Sequence, residues 1–454
     1  MNKENLIRAR SNIIFILALI IGFALVMMIE RNSVEPAAAR SKAPAASQAA
    51  PPVAASRDLP QPPELRGLNP SEQAWARIAW HYFERNVDPA TGLAHSVDNY
   101  QATTMWDSAS YLLALMSAER IGLVGRKEFD QRMDKALASL ASLPLQDGAL
   151  PNKSYSTSSL AMVDYTGKPA PDGIGWSALD IARLLVPLGA IAWNYPEHAA
   201  GASKLVGRWQ LQRMVRDGAL AGMHRTEDGK LQLLQEGRLG YEQYGARALA
   251  LTGMSAPAAL DYDRQLAYVD IYGIAVPRDL REAATGGAHN YVLSEPYVLD
   301  GLELGWDQVS RELAWRVYRA QEERFRRTGQ LTAVSEDHLD RAPYFAYNTI
   351  YADGKPWFTL TDTGKDVSAL RSISVKAAFG WYALFRTPYA TQLVEAIAPM
   401  NDPERGWYAG MYEADKSANK ALTANTNAVV LESLSYIARG RLLGPSADLP
   451  KEKP

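Results

Sequence analysis

The chain reads as an all-α protein in which an outer layer of helices wraps an inner one. Trp75, Ile78, Ala79, Tyr82 and Phe83 recur at helical spacing. So do Trp306, Val309, Leu313 and Val317, with Arg, Glu and Gln between them, so both segments are apolar on one side. Tyr111–Met116 and Ile181–Trp193 are apolar nearly all round, and such helices must be covered on several sides. The two-residue alternation that strands require is rare, with Lys230–Leu234 as a short hairpin arm.

Residues 1–31 come first. Lys3, Arg8 and Arg10 precede the apolar run Ile13–Ile29, which Glu30 and Arg31 close. This is expected to be an uncleaved signal anchor with a cytoplasmic N-terminus. A cleaved signal peptide, with Ala37–Ala39 as its small residues, is the rival reading. Either places the remainder outside the cytoplasm, in the periplasm of a bacterium with an inner membrane. Residues 32–66 follow as a linker. Of the 21 residues from Pro36 to Ser56, ten are Ala and four Pro, a composition that cannot bury a core.

Residues 67–445 form the expected globular domain. Twelve helices over this length leave about 31 residues per helix and loop, an ordinary spacing for a large all-α domain. Residues 446–454 read as a disordered tail. Hydrophobic residues at 47% supply the core. A net charge of −2 speaks against a nucleic-acid partner. The absence of cysteine excludes disulfides, thiolate metal sites and cysteine nucleophiles.

Several loops that lead into apolar helices cluster aromatic, acidic and glycine residues. They are Thr103–Asp107, Asp172–Trp176, Gly240–Tyr244, Ser294–Tyr297, Ser335–Asp337 and Gly406–Tyr408. If the apolar helices form an inner barrel, these loops converge at one end. With 11 Trp and 22 Tyr against 9 Phe, the rings are weighted toward types that stack on partly polar ligands such as sugars. Paired carboxyl groups between aromatic walls suit glycosidic bond chemistry, one protonating the leaving oxygen and the other activating water or attacking the sugar.

The candidate residues each have a structural alternative. Glu242, between Tyr241 and Tyr244, is the candidate general acid; the alternative is a first-turn carboxylate stabilised by the helix dipole. Asp107 is a candidate base or sugar-hydroxyl acceptor, and otherwise an N-cap. Glu295, before Pro296, is the other candidate partner, or shapes a turn. Asp300, a candidate sugar contact, and Glu303 follow on the same helix; a buried structural network is the alternative for both and the favoured account of Glu303. Glu336, Asp337, His338 and Asp340 read as an acidic, solvated loop without EF-hand spacing, with Glu336 as a possible sugar contact. Trp106, Trp176 and Trp407 are better stacking candidates than Trp306, joined by Tyr241, Tyr244, Tyr297 and Tyr408. Asn425 and Asn427 read first as caps, with Asn427 also a candidate sugar contact.

The six histidines are scattered without a zinc spacing, and P-loop, dinucleotide and Gly-x-Ser-x-Gly signatures are missing, so no metal and no redox cofactor is implied.

Four stretches carry a family resemblance: TTMWDSASYLLAL (103–115), GYEQYGARALALTG (240–253), SEPYVLDGLELG (294–305) and TANTNAVVLESLSYIARG (423–440). Over residues 68–443 the chain resembles a bacterial domain-of-unknown-function family, typically exported and found in polysaccharide-handling contexts. More distantly it is similar to glucoamylase-like β-1,2-glucanases, which implies an (α/α)6 toroid. In those enzymes a Trp-Asp motif opens an inner helix, as Trp106-Asp107 would here, and a glutamate at the position of Glu242 precedes an apolar helix. The usual doubled glutamate is Glu242-Gln243 here, and the turn after the helix is Gly-Met-Ser-Ala-Pro. The resemblance implies an inverting glycoside hydrolase acting on a bacterial glucan or exopolysaccharide. Two alternatives stay open. One is a non-catalytic carbohydrate-binding component beside a polysaccharide synthase or export complex. The other is a lyase drawing on Tyr244 and Arg247.

Overall fold

The helices begin where the sequence supplies capping groups. Helix α1 (Pro70–Asn86) opens with a reciprocal box. Asn69 Oδ1 accepts the Glu72 amide at 2.9 Å, and the Glu72 carboxylate accepts the Asn69 amide at 2.8 Å. Thr104 caps α2 (Met105–Arg120) by accepting the Asp107 amide at 3.0 Å. Besides a one-turn helix at Tyr262–Gln265, the remaining helices among the described residues are α3 (Arg126–Ser142), α4 (Ala178–Asn194), α5 (Pro196–Val206), α6 (Tyr241–Ala250), α7 (Pro257–Leu260), α8 (Glu295–Leu299), α9 (Gln308–Thr328), α10 (Val375–Phe385), α11 (Pro388–Ile397) and α12 (Ala424–Arg439). A π-helical turn, Asp300–Leu304, continues α8. The computed structural model describes residues 53–226, 228–281 and 289–444. The expected anchor, the linker up to residue 52 and the expected tail lie outside the described residues. Among the described residues no helix is long and apolar enough to cross a membrane.

The even-numbered helices form the inner layer. They touch in the order α2, α4, α6, α8, α10, α12 and back to α2, which closes a ring. Their lack of a polar face follows from that position. Every residue of α2 from Asp107 to Ala118 is buried, and α10 and α12 are nearly as enclosed. The odd-numbered helices lie outside and are one-sided. In α3 the buried residues are Phe129, Met133, Ala136, Leu137 and Leu140, a single helical stripe. Outer and inner helices therefore alternate along the chain, the arrangement of an (α/α)6 toroid. Gly380 permits one close approach in the ring, since a Cβ there would stand 2.2 Å from Val298 Cγ1.

Two features depart from the sequence reading. Short strands are more frequent than expected: β1 (Ala102–Thr104), β2 (Ser154–Ser156), β3 (Ala219–Arg225), β4 (Leu231–Gln235), β5 (Leu266–Ile271), β6 (Ile274–Asp279), β7 (Glu336–His338), β8 (Phe345–Asn348), β9 (Ser372–Ser374), β10 (Gly406–Tyr412) and β11 (Ala418–Leu422). Most are too short to show a two-residue pattern. Several, namely β1, β9 and β11, run directly into inner helices, and β4 leads to α6 through a five-residue turn. The second departure concerns residues 53–66, which composition assigns to the linker. They lie against the domain. Glu312 of α9 accepts both the Ser56 amide (2.8 Å) and hydroxyl (2.6 Å), Trp315 donates to Asp58, and the Arg66 amide donates to the Ile437 carbonyl.

Candidate active site

The inner helices present their N-termini at one end of the ring, where the strand-borne loops also gather. Thr104 both caps α2 and donates its hydroxyl to Asp107 Oδ2 at 2.9 Å. Burial pushes the Asp107 carboxyl upward, while Ser96, Thr104 and the charges of Arg183 and Lys376 pull it back. Beside it, the half-buried Trp106 ring meets Tyr241 edge-on, with centroids 5.9 Å apart, and the Arg183 guanidinium sits 4.5 Å from its centroid. The Tyr241 hydroxyl in turn donates to Glu336 Oε1. Trp106 and Tyr241 thus form one aromatic wall to which Glu336 is hydrogen-bonded.

Glu336 belongs to a charged cluster with one cation. The Lys376 ammonium, on the first turn of α10, contacts Glu295 Oε2 and lies 3.8 Å from Asp337 Oδ1. Glu295 also accepts from Asn425 Nδ2 (2.7 Å) and the Ser335 hydroxyl (3.1 Å), so its carboxylate is fixed by three donors. Burial, then the neighbouring Glu295 charge, pushes Glu336 up to about 7; Lys376 and Tyr241 offset only part of this. Asp337 is likewise pushed to about 7, chiefly by burial. Burial alone would lower Lys376, but Glu295, Asp337 and Glu336 together raise it, so it stays charged. Asp337 and Glu336 lie on strand β7 with Asp337 buried, which corrects the reading of this segment as a solvated loop.

A second carboxyl pair stands at the start of α4. The Ser177 hydroxyl lies 2.9 Å from Asp180 Oδ1 and 2.6 Å from Glu236 Oε1, and its oxygen accepts the Asp180 amide at 3.0 Å. One hydroxyl proton cannot serve both carboxylates, so keeping both contacts requires a proton on one of them. Burial and the Glu236 charge push Asp180 to about 7, and burial raises Glu236 as well.

Beneath the site lies a sealed network. Arg183 is 0% exposed and pairs with Glu303 (3.4 Å) and Glu432 (3.5 Å), while donating to Ser110 Oγ (2.7 Å) and Asn425 Oδ1 (2.9 Å). The Tyr244 hydroxyl donates to Glu303. This confirms the network expected for Glu303 and makes Tyr244, 1% exposed, part of the floor rather than a sugar platform.

Other expected site residues are placed elsewhere. Glu242 turns away from Tyr241 into a buried pair. Arg281 donates to its Oε2 at 2.6 Å, Gln235 and the Leu220 amide occupy Oε1, and Asp279 shares the same guanidinium. Its carboxyl is therefore engaged on both oxygens and does not join the Glu295–Glu336 cluster. Asp300 receives the Arg247 guanidinium at the far end of α8, which also removes Arg247 from any lyase site. Trp407 is fully buried, donates to the Trp75 carbonyl at 3.1 Å and packs on Phe379. Asn427 caps the Trp407 amide at 2.8 Å and has no exposure. Trp176 is buried at 1% and Tyr297 at 4%, so both are packing residues; Tyr408 is half-buried against the core.

Lys376, Asp180 and Glu236 escaped the sequence reading. Lys376 had a signal, as a lone cation at the head of the apolar run Val375–Phe385. For Asp180 the Ser177-x-x-Asp180 pattern signals a cap, and nothing in sequence brings Glu236 to it.

Asp130, Glu197 and His198 gather outside the ring within 4.8 Å of one another. Arg126 pairs with both carboxylates there, and His198 contacts Asp130 and Asp134 through its two ring nitrogens. These ion pairs and hydrogen bonds account for the cluster.

A ring of paired helices with carboxyl groups at the inner N-termini defines the class: the (α/α)6 toroids. Within it, the chain belongs to the DUF3131 family of proteins of unknown function, whose model matches residues 74–440. No curated protein matches it in sequence. Solved structures share the fold. An endo-β-1,2-glucanase from Chitinophaga pinensis, in complex with sophorotriose and glucose, is 13% identical with a TM-score of 0.60, covering 83% of this chain and 94% of that one. A presumed glucoamylase from Bacteroides fragilis is 16% identical with a TM-score of 0.60, covering 84% and 95%. A cellobiose 2-epimerase from Bacillus thermoamylovorans is 12% identical with a TM-score of 0.50, covering 81% and 98%. The fold thus serves more than one reaction, and the site must carry the functional argument.

Proposed function

We propose that the protein is a glycoside hydrolase acting on a bacterial glucan or exopolysaccharide. Glu336 is the general acid, replacing Glu242 in that role, and Asp107 is the carboxylate partner that activates water. Glu295, held by Lys376, is a positioning anion whose charge keeps the proton on Glu336. One observation carries this reading: the half-buried Glu336 carboxyl, pushed up to about 7, accepts from Tyr241 in the aromatic wall that Trp106 completes, and the helix turn of Trp106 also carries the buried, hydrogen-bonded Asp107. Inversion is the expected outcome. The N-terminal segment anchors the chain in the inner membrane with this domain in the periplasm, placed to work beside a polysaccharide synthase or export complex.

The test uses the full-length protein with linear β-1,2-glucan, sophorotriose and a panel of bacterial exopolysaccharides. Glu336→Gln should lower product release by roughly a hundredfold or more. Glu242→Gln should leave turnover nearly intact. The reverse pattern would return the acid role to Glu242 and defeat the assignment. Proton NMR of the first product anomer would decide between inversion and retention.

A further inference from the structure

Four inner helices meet at one amide. Asn425 stands on the first turn of α12 and is half-buried. It is not the cap of that helix, because the Thr423 hydroxyl takes the Thr426 amide at 3.1 Å. Its Oδ1 accepts from Arg183 Nη1 of α4 at 2.9 Å and lies 3.4 Å from the Ser110 hydroxyl of α2. Its Nδ2 donates to Glu295 Oε1 of α8 at 2.7 Å. A guanidinium only donates and a carboxylate only accepts, so the two ends of the amide cannot be exchanged. Arg183 cannot follow if the amide moves. It is sealed from solvent, and Glu303, Glu432 and Ser110 hold the rest of its guanidinium. The amide is braced from beneath and aimed at the carboxylate.

That bond has a specific place at Glu295. Lys376 and the Ser335 hydroxyl approach Oε2, and Asn425 serves Oε1. Donors on both oxygens favour the charged form of a carboxyl. Glu336, on which the Glu295 charge acts, receives the neutral Tyr241 hydroxyl on Oε1. Where two carboxyls compete for a proton, the one with the weaker set of donors holds it. Removing the Asn425 donor narrows the difference between them.

We infer that Asn425 is a positioning residue: braced by Arg183, its amide fixes Glu295 as the anion of the cluster and so directs the proton to Glu336. The inference rests on the hydrolase reading for its consequence, since Glu336 must hold that proton to serve as the acid.

The test compares the full-length parent with Asn425→Ala and Asn425→Asp on linear β-1,2-glucan at pH 5 and pH 8. Asn425→Ala should lower kcat about tenfold with KM unchanged, the effect of losing one hydrogen bond to a charged group. Asn425→Asp keeps the shape of the side chain. At pH 5 its protonated carboxyl still accepts from Arg183 and donates to Glu295, so kcat should lie within about twofold of the parent. At pH 8 it has lost that proton and sets a second charge against Glu295, and its kcat relative to the parent should fall to the level of Asn425→Ala. Variants that lose stability in urea yet keep the parental kcat make Asn425 a packing residue and overturn the inference. A ratio of Asn425→Asp to parent that is the same at both pH values overturns it too, and decides alone where Asn425→Ala does not fold. If the parent cleaves no glucan, the hydrolase reading falls and infrared spectroscopy decides the inference by itself. The protonated-carboxyl band that Glu336→Gln abolishes at pH 6 should then be weaker in Asn425→Ala, and a band of unchanged frequency and intensity overturns the assignment.

Discussion

Lys376→Met tests the electrostatic account of the site most directly. Methionine fills nearly the same volume but removes the one cation among Glu295, Glu336 and Asp337. At 3.8 Å from Asp337, and with an effective dielectric near 20, the lost attraction is about 4 kcal/mol. That agrees with the ~3–5 kcal/mol typical of breaking a buried pair. For a domain of roughly 390 residues, at about 2 cal/mol/K of unfolding entropy each, this lowers Tm by about 5 °C. The loss depends on pH. Glu336 and Asp337, each at about 7 in the parent, are neutral at pH 5 and need no counter-charge there. Without Lys376 their carboxyls rise further in the folded state, while the unfolded chain ionises near 4, so the folded variant loses stability steadily as pH rises through 7. Differential scanning calorimetry should give the full deficit at pH 8 and a clearly smaller one at pH 5, where only Glu295 has lost its partner. A variant within about 1 °C of the parent at both pH values, or equally destabilised at both, would refute the argument.

Hydrolysis that requires protonated Glu336 should fall about tenfold per pH unit above its titration at about 7, and a rate that stays flat to pH 9 would exclude Glu336 as the acid. Asn427→Ala removes the acceptor of the Trp407 amide and donors to the Thr423 and Trp407 carbonyls, all fully buried. It should cost about 2–4 kcal/mol in urea denaturation without altering KM; a change in KM with normal stability would return Asn427 to the sugar site. Gly380→Ala drives a methyl into Val298 and should cost about 1–3 kcal/mol. An unchanged Tm would mean that α8 and α10 pack less tightly than described.

The two-layer helical architecture was legible because inner helices have no polar face. Tyr111–Met116 could be placed inside without a partner being named, and the ring accounts for its burial on every side. The site was harder to read. Glu242 follows Tyr241 by one residue, but one residue turns a helix by about 100°, so the tyrosine meets Glu336 while the glutamate meets Arg281. Arg281 arrives from 39 positions away, and no local pattern announces it. Trp407 shows the limit of composition: aromatic and glycine residues cluster in loops that line clefts and in loops that close cores, and only the Trp75 carbonyl beneath it separates the cases. Glu336 suffered the opposite error, because an acidic run looks solvated when the single lysine that compensates it lies 40 residues later.

Ring closure bears on how the chain folds. The last inner helix seals against the first: Arg120 of α2 donates to the carbonyl of Arg439, 319 positions onward, and Ser110 reaches Asn425 across a similar span. A growing polypeptide can build its outer–inner hairpins early, but the first and last of them cannot meet until residue 439 is available. Contacts of that sequence separation form slowly. The apolar flank of α2 destined for α12 stays uncovered until then, so nascent or truncated chains lacking α12 should be insoluble or chaperone-bound, and the domain should tolerate circular permutation far better than shortening.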